Sequence, residues 1–113
     1  MKLIRELPLQ RQNKDLRHTL VQGKDGKFYT VTSWALYDQQ VADWHENFEV
    51  MVNETKEDGT WDVLNGVYMR RFKTKDDAVD HHIWLLAHFD DTLKLPQAKA
   101  PVAHAPAAAP AKP

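Results

Sequence analysis

The sequence predicts an α+β fold, a two-layer domain in which an antiparallel sheet of about four strands carries one C-terminal helix across one face. Three observations predict it. Residues 28–34 and 48–55 are rich in aromatic and β-branched side chains, which suit a half-buried strand. Glycine and aspartate cluster at 23–26 and again at 57–59, between such runs, as turns require. After Thr74 the apolar spacing changes from every second residue to every third or fourth, the period of a helix.

Residues 1–15 are an N-terminal arm or a short strand. Leu3, Ile4, Leu7 and Leu9 supply apolar character, while Pro8 blocks a regular helix. The domain proper runs over 16–95. Leu16, His18 and Leu20 alternate with Arg17, Thr19 and Val21, and the Gly23-Lys24-Asp25-Gly26 turn leads into the strand at 27–34, so the two runs read as a hairpin. Residues 35–47 have mixed polarity and no clean period, which predicts a loop. Phe48, Val50 and Val52 alternate with Glu49, Met51 and Asn53 in a third strand. The turn at Glu57-Asp58-Gly59 returns the chain through 61–72, with an interruption at Asn65-Gly66.

The helix has the fullest set of signals. Thr74 is a good N-cap, and Asp76 and Asp77 lie on the positive end of the helix dipole. At about 100° per residue, Ala78, Val79, His82, Ile83, Leu85, Leu86, Phe89 and Leu93 form one apolar arc. Asp77, Asp80, His81, Trp84, His88 and Asp91 project opposite. This register predicts that His82, Leu85, Leu86 and Phe89 are buried and that Asp80, His81, Trp84 and His88 face solvent. Pro96 ends whatever helix remains.

The tail from 96 to 113 holds eight Ala and five of the six Pro. That composition predicts an extended, disordered coil rich in polyproline II conformation, suited to tether or space a partner. All four Trp, four Phe and three Tyr lie before it, so the core is built from about 95 residues. With no cysteine, disulfides and thiolate metal sites are excluded. No stretch resembles a secretory signal or approaches the ~20 apolar residues of a membrane span, which predicts a cytoplasmic protein.

The net charge of −1 conceals segregation. Residues 1–27 carry seven basic and three acidic groups, whereas 28–69 carry one basic and eight acidic groups. Arg70, Arg71, Lys73 and Lys75 then fall within six residues, and five Asp follow against Lys94 in 76–95. Alternating blocks of this kind make a patched surface.

Phe28-Tyr29-Thr30-Val31-Thr32-Ser33, Phe48-Glu49-Val50-Met51-Val52 and Arg71-Phe72-Lys73-Thr74-Lys75-Asp76-Asp77-Ala78, with His82 following, occur in that order. This order resembles a group of small bacteriophage-encoded proteins without established activity. Their pattern runs Tyr-x-Val-Ser-Thr, Phe-Glu-Thr-Met-Val-Phe and Arg-Tyr-x-Thr-x-x-Glu-Ala, then His. Val50 stands where that pattern has Thr, Phe72 where it has Tyr and Asp77 where it has Glu. The resemblance spans residues 27–90 and implies a phage origin; it implies no mechanism.

Several constellations bear on chemistry. His81, His82 and His88 share a helix with Asp77 and Asp80, but zinc needs three or four ligands converging at about 2 Å. Only Asp77 and His81 are well spaced, so no metal is expected. His82, at the centre of an apolar arc, reads as a hydrogen-bonded core residue. Asp43, Glu46 and Glu49 flank Trp44 and Phe48, a pairing that can hydrolyse glycosides, but a domain of this size offers little cleft for a sugar chain. No phosphate-binding glycine loop, nucleophile elbow or metalloprotease motif occurs, and the chain is expected not to be an enzyme and to need no cofactor.

The exposed chemistry centres on Arg70, Arg71, Lys73 and Lys75, with His81, Trp84 and His88 on the helix beyond them. Thr74, His82, Leu85, Leu86 and Phe89 are the structural residues of the same region. The expectation is a small phage-type accessory protein that binds a protein of the host or of its own phage, with inhibition of a host process or defence system as its specific form. Nucleic-acid binding through the basic strand–helix junction is the alternative, and a structural virion component comes third.

Overall fold

The computed structural model describes residues 1–10, 14–37, 42, 44–61 and 65–94. Five strands, β1 (Lys2–Glu6), β2 (Asp15–Gln22), β3 (Phe28–Ala35), β4 (Phe48–Thr55) and β5 (Gly66–Phe72), precede the helix α1 (Lys75–Ala87) and the single turn α2 (Phe89–Thr92). The sheet is an antiparallel meander in the order β1-β2-β3-β4-β5, so each strand pairs with its neighbours in sequence and the connections stay short. The α+β class and the helix on the sheet agree with the sequence reading. The strand count is five and not four, because the ambiguous N-terminal segment adds β1 at the sheet edge. Pairing with β2 explains it: Lys2, Leu3, Arg5 and Glu6 lie opposite Gln22, Val21, Leu20 and Thr19. The tail expected at 96–113 lies outside the described residues.

Turn chemistry sets the register. Between β2 and β3, Gly26 adopts a φ of 82° and donates to the Gly23 carbonyl, while Asp25 Oδ1 accepts from the Lys27 amide. Between β4 and β5, Gly59 takes a φ of 90°, and a Cβ there would meet Leu7 Cδ1 at 2.8 Å. The turn thereby lies down on Leu7, Leu20 and Thr30, covering one end of the sheet face that the helix leaves open.

The other face holds the core. Val21, Tyr29, Val31, Val50, Val52, Tyr68 and Phe72 pack against Ala78, Leu85 and Phe89. Strand alternation puts the first seven on one face, and helical spacing puts the last three on one stripe. Thr74 caps the helix, its hydroxyl accepting from the Asp77 amide at 3.1 Å.

The buried stripe of α1 is rotated by roughly 50° from the apolar arc of the sequence. Ala78, His81, His82 and Leu85 are buried; Trp84 and Leu86 are half-buried, and Ile83 is 52% exposed. Placing His81 and Trp84 opposite the core, and Ile83 in it, was therefore incorrect. The reason is a partner supplied by the sheet. Tyr68 on β5 hydrogen-bonds His81 Nε2 at 2.8 Å, so a polar ring is seated where hydropathy alone would set an aliphatic one. His82, Leu85 and Phe89 are buried as expected, and Asp80 and His88 are exposed.

Candidate interaction surface

The basic junction divides into structural and exposed charges. Trp34, Glu49 and Arg71 form one cross-strand row on the open face. The Glu49 carboxylate is 2% exposed and accepts from Trp34 Nε1 at 2.9 Å and Arg71 Nε at 3.2 Å. A buried carboxylate must be compensated in this way, so Arg71 is committed to the fold. Arg70 points to the helix side, its guanidinium carbon 5.6 Å from the centroid of the Phe72 ring. Lys73 and Lys75 are exposed. Of the four junction cations, two remain fully at the surface.

The aromatic residues of the helix form a ladder. His81 stacks on Trp84 with ring centroids 5.4 Å apart, and Trp84 on His88 at 4.4 Å, the planes inclined by 13° and 20°. His88 is exposed, and its Nδ1 donates to the Trp84 carbonyl at 3.0 Å. His81 is thus removed from the surface, Trp84 is half-covered by its two neighbours, and His88 alone of the three lies open. Among the described residues no group of three or more His, Asp or Glu converges as metal ligands would.

His82 belongs to a separate network. Glu6 accepts from Arg17 and from the Thr19 hydroxyl, and Thr19 Oγ1 lies 2.9 Å from His82 Nε2. Since the single hydroxyl proton of Thr19 goes to Glu6, His82 Nε2 donates to Thr19. Burial, reinforced by the Arg17 charge, holds His82 down at about 4, with Glu6 opposing. Thr19 and His82 are both fully buried. The chain Glu6–Thr19–His82 ties β1, β2 and α1 together.

Sequence reasoning missed the most exposed aromatic feature. The loop joining β3 to β4 carries Trp44, 70% exposed, stacked on His45 with centroids 3.8 Å apart; Tyr37, 43% exposed, meets the same His45 ring at 6.4 Å. The His45 amide bonds the Ala42 carbonyl, and Asn47 Nδ2 reaches the Ala42 and His45 carbonyls, which shapes this ledge. Burial raises Glu46 against the charges of Arg71, Lys73 and Arg70, and the pairing of Phe48 with Phe72 places the end of the loop beside the basic junction. The signal available in the sequence is two aromatics and a histidine in an aperiodic loop, of which the glycoside reading takes only Trp44, with Phe48 and the carboxylates Asp43, Glu46 and Glu49. In that constellation Glu49 is consumed by Trp34 and Arg71, and Asp43 lies outside the described residues.

No protein-family model matches the chain, and no curated protein or solved structure is significantly similar to it. No helix among the described residues is long and apolar enough to cross a membrane.

Proposed function

We propose that this chain is a small phage-type accessory protein that acts by binding a protein partner in the host cytoplasm, in the form of inhibiting a host process or defence system. The observation that carries the binding reading is the ledge of Tyr37, Trp44 and His45. An indole 70% exposed on a stacked imidazole is an amphipathic anchor of the kind enriched in the energetic centres of protein interfaces. Lys73 and Lys75 are exposed just beyond Phe72, which pairs with Phe48 at the end of the ledge loop, and they offer a polar rim on that side. The phage origin rests on the resemblance of the strand and helix-start motifs.

The charge distribution argues for protein over nucleic acid. With Arg71 committed to Glu49 and Arg70 half-buried over Phe72, the strand–helix junction itself keeps two exposed lysines for phosphate. Two phosphate contacts at the junction contribute a log–log salt slope of about −2 at most.

The test is affinity capture from host lysate, with and without nuclease, comparing the wild type with Trp44→Ala. A discrete protein retained after nuclease and lost with Trp44→Ala is expected. Labelled single- and double-stranded DNA and RNA are titrated in parallel at several salt concentrations. Sub-micromolar nucleic-acid binding that survives physiological salt and is lost in Lys73→Glu/Lys75→Glu would overturn this reading in favour of a nucleic-acid partner.

A further inference from the structure

The ledge of Tyr37, Trp44 and His45 presents flat aromatic faces that the folded domain leaves uncovered. Aromatic-lined surfaces of this kind receive proline-rich segments. Proline rings lie flat against indole and phenol faces, and the polyproline II conformation is already extended, so docking it costs little ordering entropy. The same chain carries such a segment. Residues 95–113 contain Pro96, Pro101, Pro106, Pro110 and Pro113, spaced by alanines.

Charge points the same way. Residues 36–47 of the ledge loop contain Asp38, Asp43 and Glu46 and no Lys or Arg. Residues 95–113 contain Lys99, Lys112 and His104 and no Asp or Glu. The acidic loop and the basic, proline-spaced tail are complementary, with the exposed Lys73 and Lys75 of the junction opposing, and loop and tail would each repel a copy of itself.

Reach is sufficient. Phe48 pairs with Phe72, so the end of the ledge loop lies beside the end of β5, where α1 begins three residues later. The 13 residues of α1 then carry the chain away by about 20 Å. A polyproline II segment spans ~20 Å in about seven residues, so the 19 residues of 95–113 are long enough to return to the ledge.

We propose that segment 95–113 docks in cis on the Tyr37–Trp44–His45 ledge and competes there with an incoming partner. The competition rests on the protein-partner reading above; the docking does not.

The absence of cysteine allows a clean experiment on the full chain: Ala107→Cys carries a single nitroxide, and the four tryptophan indole N–H signals report its proximity. Trp44 and Trp61 make an internal comparison. Both are exposed, but Trp61 lies in the β4–β5 connection, at the end of the sheet opposite the ledge. Docking predicts that the Trp44 signal is broadened several-fold more than that of Trp61, independently of dilution. It also predicts that Pro101→Ala/Pro106→Ala/Pro110→Ala, which keeps length and charge, removes the difference. Equal broadening of Trp44 and Trp61 would overturn the proposal, as would a preference for Trp44 that survives the proline replacements. So would broadening of an isotope-labelled, cysteine-free chain by a spin-labelled second chain, which would place the contact between copies. Capture of a protein partner by the proline-replaced chain is read separately. If Trp44 is selectively broadened and no partner is captured by either chain, the docking stands and the protein-partner reading fails. If a partner is captured equally by both chains and Trp44 is not selectively broadened, that reading stands and the docking fails.

Discussion

The buried histidines make stability depend on pH. His82, held down at about 4 chiefly by burial, stays neutral in the folded chain while an unfolded histidine titrates near 6.5. Between those values the unfolded chain binds more protons, so stability is full above about pH 6.5 and falls on acidification towards pH 4. His18 acts in the same direction, lowered by burial against the opposing charges of Asp15 and Glu6. Glu6 adds to the loss at the acid end: burial raises it, but hydrogen bonds from Thr19 and Arg17 outweigh this and lower it. The depression at His82 corresponds to about 3 kcal/mol, and urea unfolding at pH 7 and pH 4.5 is expected to reveal much of it. His82→Gln, whose amide can still donate to Thr19, is expected to flatten that dependence; an unchanged pH profile would show that other groups carry it. In the cross-strand row on the open face, Arg71→Met leaves Glu49 buried with only Trp34 for company. It is expected to cost about 2 kcal/mol by chemical denaturation, whereas Lys73→Met on the exposed side of the junction is expected to change stability by less than about 0.5 kcal/mol.

At the scale of elements, the helix shows how far periodicity reaches. Thr74, Asp77 and the 3.6-residue spacing located α1 and its N-cap, because capping and amphipathicity are local properties written in consecutive residues. The rotation of its buried stripe was not legible, because it depends on Tyr68, which sits on another element and offers His81 a hydrogen bond. A paired substitution tests the register. Leu85→Ala is expected to cost about 2–4 kcal/mol as a cavity in the core, and Ile83→Ala, on the exposed face, less than about 0.5 kcal/mol. Thermal melts in which Ile83→Ala costs as much as Leu85→Ala would restore the arc read from hydropathy. The N-terminal segment was illegible for a related reason. Five residues with one proline-terminated apolar run have no stability of their own, and β1 exists through the ladder offered by β2 and through the Glu6–Thr19–His82 chain.

At the scale of the whole molecule, one core joins sheet and helix. Val31, Val52 and Tyr68 from three strands meet Ala78, Leu85 and Phe89 in one cluster, so the layers are expected to unfold together. Tryptophan fluorescence, with Trp34 in the sheet and Trp84 on the helix, and far-ultraviolet circular dichroism are expected to give coincident urea transitions. Separated midpoints would mean that β1 or the helix opens on its own. The division of the molecule into a packed helix face and a partly open face also bears on function, since the exposed ledge and the exposed lysines cluster at the end where β3, β5 and α1 meet.

The sequence by itself determined the α+β class, the two glycine turns, the strands at 27–34 (to within a residue at each end) and 48–55, the capped helix start and the burial of His82, Leu85 and Phe89. Each is encoded by neighbours within one turn or one strand, where local sterics and hydropathy dominate. Only the tertiary structure decided that β1 joins the sheet, that His81 is buried and Ile83 is not, that Arg71 serves Glu49, and that Trp44 stands out on His45. These depend on which hydrogen-bond partners and which covering atoms distant segments deliver. A side chain's hydropathy states what burial would cost, and the partners brought by the fold decide whether that cost is met.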